Sequence, residues 1–378
     1  MPPTVALTGV TGRIGSLVAA RLAAEDVSLR LIARDPARVP HYPDAVAAQA
    51  EYADSAAFER AVAGAQTLLL VSAAENADRV SEHKSAVDAA LAAGVTRIVY
   101  ISFQGAAPDA TFTFARDHWA TEEHIKASGV AYTFLRDNNY LGFLPKLADP
   151  ETGVIAGPAG SGRVAAVAHQ DIAEVAAAVL LDESLLKGET RDLTGPEALT
   201  LDEVAQVLTQ RSGRTITYQP QSHDEAIASR AHYGAPDWMV TGWVSSYEAI
   251  AGGELATTST TVAEVTGHPP LSLRELLAAE PEALAGLYAQ AGAAEVPLEN
   301  PARWRKQLGQ HLGHRIDVVA APTTTTFRFD DGFATATDTE TGLRLTAESA
   351  SGLARIEDVV GRHLERFAHK HDITVSWQ

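Results

Sequence analysis

The chain has 378 residues, of which 46% are apolar and 21% charged, enough to fill the core of one large domain and a small one. It contains no cysteine, which excludes disulfides, thiolate metal sites and cysteine nucleophiles and is compatible with a reducing cytoplasm. Residues 301–378 carry as many basic as acidic side chains, so the net charge of −18 lies in the first 300 residues and nucleic-acid binding is not expected.

The first predicted element is a short apolar strand, Val5–Leu7, followed by glycines spaced G-x-x-G-x-x-G and an alanine-rich helix, Arg13–Ala24. In such a loop the first glycine permits a tight turn, the second lets amides approach a pyrophosphate, and the third lets the helix pack closely on the sheet. The helix N-terminus adds free N–H groups, and the alternative is a glycine-rich turn without a ligand. The residues expected to bind a dinucleotide here are Gly9, Thr11, Gly12, Arg13, Ile14 and Gly15.

The second predicted strand, Val27–Ala33, ends at the position where NAD-binding folds carry an acidic residue that accepts hydrogen bonds from the ribose 2′-OH. Here Arg34 stands at that position and Arg38 follows four residues later. Because a guanidinium can bind a 2′-phosphate through two charge-assisted bonds, this pair favours NADP(H) as the cofactor. Asp35 could still reach a hydroxyl, and the alternative is that both arginines are solvated turn residues.

Apolar runs continue to alternate with alanine-rich helical stretches as far as about residue 135. This alternation predicts a Rossmann-like, doubly wound parallel sheet with helices on both faces, which is an α/β fold. Ser72 follows the fourth strand, where ligands of such sheets bind, so we expect it to border the cofactor. The remaining predicted strands are Ala45–Ala50, Thr67–Val71, Arg97–Ile101 and Ala131–Leu135, and the remaining helices are Ser55–Val62, Glu75–Ala93 and Arg116–Ser128.

From Thr152 to about residue 280 the pattern is looser, and we interpret residues 137–280 as a substrate lobe packed on the sheet. The first domain would then span residues 1–290. Residues 281–300 are rich in alanine, glycine and proline, which predicts a helix followed by a linker. The elements predicted in the lobe are the strands Val164–Val167, Asp192–Thr194 and Thr215–Gln219 and the helices Asp171–Leu181 and Leu201–Gln210.

A second domain is predicted at residues 297–378. A helix over residues 304–314, the strand segments Phe327–Phe333 and Leu343–Thr346 and a last helix, Arg355–Phe367, predict a small α+β domain with its helices on one face of a sheet. This segment resembles a small bacterial domain of unknown function. It also holds several histidines, which suit a metal such as zinc or form a polar helix face; since no carboxylate pattern completes a metal site, no metal is expected. These histidines are His311, His314, His363, His369 and His371.

Several motifs in the first 280 residues together resemble the NmrA-like atypical short-chain dehydrogenases, in particular the type 2 NAD(P)H:quinone oxidoreductases. The resemblance implies a Rossmann fold, NADP(H) binding with Asp54 among the cofactor residues, and either reduction of a quinone or sensing of the NADPH/NADP balance. The motifs are the loop Thr8–Gly15, the segments Arg34–Pro36 and Tyr52–Asp54, Val99–Ser102, Ser128–Arg136, Asp171–Ala173 and Leu193–Glu197.

Ordinary short-chain dehydrogenases use a Tyr-x-x-x-Lys pair, and the matching positions here hold Phe114 and His118. Phe114 has no proton to donate, which counts against carbonyl reduction by the usual mechanism. A histidine with a pKa near 6.5 could stabilise a hydroquinone anion or deliver a proton, or it could only bind the nicotinamide ribose. The residues expected to contact the nicotinamide or a flat acceptor are His118, Ser102 and Tyr140, and Phe103 and Phe143 could also stack on it. The alternatives are that Ser102 caps a helix or loop and that the aromatic residues belong to the core.

Together these features predict an NADPH-dependent oxidoreductase that reduces a quinone or a similar flat small molecule by hydride transfer. The alternative is a non-catalytic NADP(H) sensor whose C-terminal domain reports the bound state to a partner. The sequence shows no signal peptide and no apolar run near 18 residues, so a cytoplasmic protein without a membrane span is expected. A homodimer is the expected assembly.

Overall fold

The computed structural model describes residues 4–25, 27–368 and 373–378. Its strands are β1 (Thr4–Leu7), β2 (Ser28–Ala33), β3 (Ala45–Gln49), β4 (Thr67–Val71), β5 (Arg97–Phe103), β6 (Ala131–Asp137), β7 (Val154–Gly157), β8 (Arg163–Val164), β9 (Thr190–Leu193), β10 (Leu199–Thr200), β11 (Thr217–Pro220), β12 (Gln290–Pro297), β13 (Asp317–Ala320), β14 (Thr324–Phe329), β15 (Gly332–Asp338) and β16 (Gly342–Ser349). Its helices are α1 (Arg13–Leu22), α2 (Ser55–Val62), α3 (Arg79–Ala92), α4 (Thr113–Ala127), α5 (His169–Leu181), α6 (Leu201–Ser212), α7 (His223–Ser229), α8 (Asp237–Ala251), α9 (Thr261–Thr266), α10 (Leu273–Ala279), α11 (Pro301–Leu312) and α12 (Leu353–Phe367).

Seven parallel strands form the main sheet in the order β3-β2-β1-β4-β5-β6-β9. The chain moves outward from β1 to β3 and then returns to place β4 on the other side of β1. The predicted doubly wound α/β fold is confirmed, and the six predicted strands of its first 135 residues are all present. The crevice between the carboxyl ends of β1 and β4 is the switch point at which such sheets bind ligands.

The sheet is covered on both faces because successive side chains of a strand point in opposite directions. Val99 and Ile101 of β5 lie in the same apolar cluster as α1 and α5. Ile98 and Tyr100 of that strand lie in the cluster that includes α2 and α3. The alanine-rich helices therefore pack close to the sheet, and the loops at its carboxyl edge hold the polar groups described below.

By its contacts the chain forms two compact units. The first consists of residues 1–141, 157–201 and 220–272, and the second of residues 142–156, 202–219 and 273–378. The expected helix and linker at residues 281–300 are wrong: a short 3-10 helix, Pro281–Leu284, precedes β12, which pairs with β16 along its whole length. Ala294 and Val296 alternate inward there, so small residues form a strand where composition alone indicated a linker. The domain boundaries at residues 290 and 297 stay a prediction.

The C-terminal sheet is antiparallel, in the order β12-β16-β15-β14-β13. Apolar residues of α11 and α12 join its inward-facing side chains in one cluster, as predicted for helices on one face of a sheet. The rings of His311 and His363 lie 5.0 Å apart. His369 and His371 lie outside the described residues, and within the described ones no group of three His, Asp or Glu side chains could hold a metal. No described helix is long and apolar enough to span a bilayer.

Candidate functional site

The turn after β1 brings two strand ends together at the switch point. The hydroxyl of Thr8 donates to the carbonyl of Leu69, 3.1 Å away, and accepts from the amide of Val71 at 2.9 Å. Gly9 then adopts a φ of +65°, and a Cβ at this position would lie 2.9 Å from Cβ of Val71. Any other residue would therefore be strained and would collide with β4, so the turn requires glycine.

Gly15 fixes the distance between α1 and this turn. A Cβ on Gly15 would lie 2.3 Å from the carbonyl oxygen of Gly9. The helix begins after Gly12, which has no side chain to cap it, so the first-turn amides of α1 remain available to an anion. The loop therefore combines uncapped amides with a bare backbone, and Thr11 and Arg13 beside it are exposed.

Arg34 and Arg38 are both exposed beyond the carboxyl end of β2. Asp35 lies between them, and its Oδ1 accepts from the amide of Ala37 at 3.1 Å, which caps the short 3-10 helix that contains Arg38. The carboxylate next to Arg34 thus has a structural partner, while neither guanidinium forms an ion pair with any described residue. Asp54 likewise caps α2 by accepting from the amide of Ala57 at 2.9 Å.

A buried polar cluster lies next to this crevice, on α3, α4 and β5. Its centre is Arg79, the first residue of α3, which is 3% exposed. Its Nη2 donates to the hydroxyl of Ser72 at 3.1 Å and to Nε2 of His118 at 2.8 Å. With Nε2 accepting, the proton of His118 sits on Nδ1 and is donated to the hydroxyl oxygen of Tyr100, 2.9 Å away.

His118 does not keep the ordinary histidine pKa near 6.5 on which the expected proton delivery depends. Burial and the positive charge of Arg79 hold the pKa of His118 well below that value. The ring is neutral at physiological pH, and its one free lone pair is occupied by Arg79. His118 therefore orients Arg79 and is not poised to deliver a proton. Burial also raises the pKa of Tyr100, which keeps its hydroxyl proton.

His83 connects the same cluster to the loop after β4. Its Nε2 accepts from the amide of Ala73 at 2.9 Å, so Nδ1 carries the proton and donates to Thr121 at 2.9 Å. Burial, and secondarily Arg79, lowers the pKa of His83 to about 3. A neutral His83 thus holds the loop that contains Ser72 against α4.

Because His83 and His118 are neutral in the folded protein, we expect the protein to lose stability in acid. In the unfolded chain these histidines take up protons below a pKa near 6.5, whereas in the folded protein they stay neutral. Their contribution to the free energy of unfolding is therefore fully present above pH 6.5 and is lost as the pH falls toward 3. For His83 alone the loss between pH 7 and pH 5 is about 2 kcal/mol. Urea unfolding of the full chain at these two pH values measures it. A His83→Gln variant should show a shallower dependence, whereas His41→Gln, at an exposed position, should follow the unaltered protein; equal slopes in all three would contradict the assignment.

Glu122 organises the other side of α4. This carboxylate is fully buried and accepts from Nε of Arg136 at 2.8 Å, from Nη2 of Arg136 at 2.6 Å and from the hydroxyl of Ser102 at 2.6 Å. Ser102, expected to contact the nicotinamide or the substrate, is itself fully buried and its proton is committed to Glu122. Ser102 lies near the carboxyl end of β5, where its hydrogen bond helps to hold Glu122 in place.

Aromatic residues line the region around His118. Phe114 stands where an ordinary dehydrogenase has its tyrosine, and its ring centre lies 5.5 Å from that of Phe112 and 6.0 Å from that of Trp238. Phe103 is buried with its ring 6.1 Å from that of His118. Phe143, the other expected stacking residue, is 53% exposed and belongs to the second compact unit.

Tyr140 is hydrogen-bonded at the end of β6. Its hydroxyl donates to Oδ2 of Asp137 at 2.9 Å, and its ring lies over His169 with the ring centres 4.3 Å apart. Burial raises the pKa of Asp137 well above its usual range, and burial together with Asp137 raises that of Tyr140. Tyr140 therefore keeps its proton and offers a flat, partly buried ring.

Arg79, His83 and Glu122 were not singled out from the sequence. A signal for the first two was present, since Arg79 and His83 are four residues apart and so share a helix face with Ala86, Val87 and Ala90, all buried. Charged or polar side chains on the apolar stripe of a helix that follows a sheet strand mark a polar cluster. For Glu122, whose partners lie on two different strands, we find no comparable local signal.

The parallel sheet, its switch point and the uncapped glycine loop define a Rossmann-type dinucleotide-binding protein. Residues 9–183 match a protein family described as NAD(P)H-binding, and residues 293–378 match a family described as uncharacterised and conserved in bacteria. Quinone oxidoreductase 2 of Escherichia coli is 35% identical over 283 residues, which cover 72% of this chain and 96% of that protein. The chain therefore belongs to the NAD(P)H-binding, NmrA-like family, close to that oxidoreductase, and carries a second bacterial domain at its C-terminus.

Two solved structures resemble the same part of the chain. The Escherichia coli NADPH-dependent quinone oxidoreductase complexed with NADPH superposes with a TM-score of 0.65 at 32% identity and covers 72% of this chain and 97% of its own. The Citrobacter triphenylmethane reductase complexed with NADP(H) superposes with a TM-score of 0.63 at 29% identity and covers 72% of this chain and 98% of its own. The predicted family and fold are confirmed.

Proposed function

We propose that this protein is an NADPH-dependent oxidoreductase that reduces a quinone or a similar flat small molecule. The observation that carries the proposal is the glycine turn at the switch point, where uncapped amides of α1 lie beside a buried polar cluster. When bound, NADPH would supply a hydride to the acceptor. The similarity to quinone and dye reductases supports this reading over a sensor without catalysis.

The cofactor would be held by groups of the first compact unit. The amides of Thr11, Arg13, Ile14 and Gly15 would bind the pyrophosphate. The amide of Gly12 donates to the carbonyl oxygen of Gly9, 2.8 Å away, so Gly12 would contribute by leaving room beside the other amides, and Gly9 would keep the turn open. Arg34 and Arg38 would bind the 2′-phosphate, while Asp54 and Ser72 would border the adenosine and nicotinamide halves. His118 and Tyr140 would lie beside the acceptor. His118 would act by orienting Arg79, and Ser102 would support the site through its hydrogen bond to Glu122.

The protonation states of these residues favour a quinone over an ordinary carbonyl. Reducing a ketone produces an alkoxide, which needs a proton donor of suitable pKa in the site. None of the residues expected to contact the acceptor is a ready donor: Phe114 has no acidic proton, the lone pair of His118 is occupied by Arg79, and burial raises the pKa of Tyr140, as it does that of Tyr100. A quinone gives the more stable hydroquinone anion, which does not require such a donor.

The assay that tests this function is stopped-flow oxidation of NADPH with and without a benzoquinone. We expect turnover well above the uncatalysed reaction and a burst that depends on enzyme concentration. Tight NADPH binding with a rate no faster than background would identify the protein as a non-catalytic sensor. No detectable binding of NADPH or NADP would remove both readings.

Replacing Arg34 with alanine should weaken NADPH binding and leave NADH binding nearly unchanged. A charge-assisted bond to the 2′-phosphate contributes roughly 1.5–3 kcal/mol, which corresponds to about 10- to 150-fold in Kd. Calorimetric titration with both cofactors measures the difference. Arg60→Ala, at another exposed arginine of the same unit, is the matched control. An equal loss for NADPH and NADH in Arg34→Ala would show that the 2′-phosphate lies elsewhere.

The oligomeric state, the cellular location and the domain boundaries of the protein are also proposals. We propose a homodimer, which light scattering of the 40.0 kDa chain would test, and a cytoplasmic protein, which the absence of cysteine supports. The NAD(P)H-binding domain with its lobe would span residues 1–290, and the second domain residues 297–378. The family match that begins at residue 293 supports a boundary near this point.

A further inference from the structure

Arg79 is the most unusual charged residue of the described chain. It is 97% buried, yet its Nε and Nη1 have no hydrogen-bond partner, and Nη2 contacts only the neutral groups of Ser72 and His118. The closest carboxylate is that of Asp117, whose Oδ2 lies 3.7 Å from Nη1, too far for a hydrogen bond. The cluster therefore contains a buried positive charge that is only partly compensated.

A buried charge that is not fully compensated raises the free energy of the folded protein. Burying a cation costs several kcal/mol of solvation free energy, and a hydrogen-bonded carboxylate normally offsets part of that cost. The neighbouring carboxyl group of Asp137 does not offset this charge, because burial raises its pKa well above the usual range and favours the neutral form. The positive charge of Arg79 nevertheless acts on Asp137 and Tyr140, so its field reaches the end of β6 where Tyr140 offers its ring.

We propose that Arg79 is a positioning residue whose buried charge selects acceptors that gain negative charge during reduction over acceptors that are already cationic. This inference rests on the proposed oxidoreductase function and names the substrate class within it. Arg79 acts on the acceptor through the electric field of its charge and not by direct contact, and His118 holds the guanidinium in place. Neutral quinones are the preferred class, and cationic dyes are disfavoured.

The charge balance of the two reactions explains the selectivity. A neutral quinone that accepts one hydride, carrying two electrons, becomes a hydroquinone monoanion and then takes one proton from water. A cationic triarylmethane dye that accepts one hydride at its central carbon becomes a neutral leuco dye and needs no proton. A positive charge nearby stabilises the product side of the first reaction and opposes binding of the dye in the second.

The test compares the two acceptors in three forms of the full-length protein: unaltered, Arg79→Met and Arg79→Lys. We expect Arg79→Met to lower kcat/KM for a benzoquinone and to leave unchanged or raise it for a cationic triarylmethane dye. The ratio of the two values should fall by at least about tenfold. Arg79→Lys keeps the charge and should retain most of the ratio. A change that merely loosens the fold would lower both reactions together and leave the ratio unaltered.

A binding measurement gives a readout that does not depend on turnover. The probe is 4-nitrophenol at pH 8, where it is a phenolate that resembles the hydroquinone anion, titrated into protein saturated with NADP. We expect its affinity to fall in Arg79→Met and not in Arg79→Lys. An unchanged quinone-to-dye ratio, or a loss of NADPH affinity as large as the loss of quinone reduction, would overturn the proposal. If the unaltered protein reduces neither acceptor, the proposed function fails and not this assignment alone.

Discussion

Replacing Gly15 with alanine is expected to raise the Kd for NADPH by about 10- to 150-fold, the effect of losing one charge-assisted hydrogen bond to the pyrophosphate. The added Cβ would lie 2.3 Å from the carbonyl oxygen of Gly9 and 2.5 Å from its carbonyl carbon, and both atoms are backbone. The clash can be relieved only if α1 moves away from the turn or the turn moves away from β4. Either movement displaces the amides that would bind the pyrophosphate. Calorimetric titration with NADPH measures the loss.

Gly252→Ala provides the matched control for this variant. Gly252 lies at the C-terminal end of α8 with an ordinary φ of −72°, and a Cβ there would approach no atom closer than 3.4 Å. This change should leave both NADPH binding and thermal stability nearly unaltered. Unfolding of Gly15→Ala by circular dichroism separates loss of binding from loss of fold. A folded Gly15→Ala protein that binds NADPH as tightly as the control would refute the close-packing argument.

The glycine loop and the first six strands could be predicted because their signals are local. Each strand is a continuous apolar run between turn residues, as a sheet covered on both faces requires. The loop is recognised from three glycines and their spacing. The positive φ of Gly9 agrees with the predicted tight turn, and the close contact of Gly15 agrees with the predicted close packing of the helix. Arg34 is exposed after β2, and its role in binding the 2′-phosphate stays a prediction.

The remaining features depend on contacts between segments far apart in the sequence. Strand β12 was missed because alanine and glycine are poor strand formers, and only its pairing with β16 defines it. The lowered pKa of His118 could not be predicted because it results first from burial and then from Arg79, which lies 39 residues earlier in the chain. Burial and partner, which decide the chemistry of a titratable group, are properties of the folded chain and not of the spacing of its motifs.

Replacing Glu122 with alanine is expected to destabilise the protein by about 3–5 kcal/mol, the usual cost of removing one partner of a buried ion pair. The loss would leave the Arg136 guanidinium, which is 20% exposed, without its two bonds to the carboxylate, and Ser102 without an acceptor. The full chain in a urea titration gives the free-energy difference. Glu122→Gln keeps one carbonyl oxygen but places an amide group beside Arg136. Its free energy of unfolding should lie between those of the unaltered protein and Glu122→Ala.

Glu123→Ala is a matched control one residue along the same helix. Glu123 is 46% exposed and its Oε1 lies 2.8 Å from Nζ of Lys126, a surface pair whose contribution is at most about 1 kcal/mol. The contrast between two adjacent glutamates tests whether the burial of Glu122, and not helix α4 in general, carries the stability. Equal losses in the two alanine variants would mean that Arg136 finds another acceptor. The buried ion pair between Glu122 and Arg136 would then contribute no more to stability than the surface pair between Glu123 and Lys126.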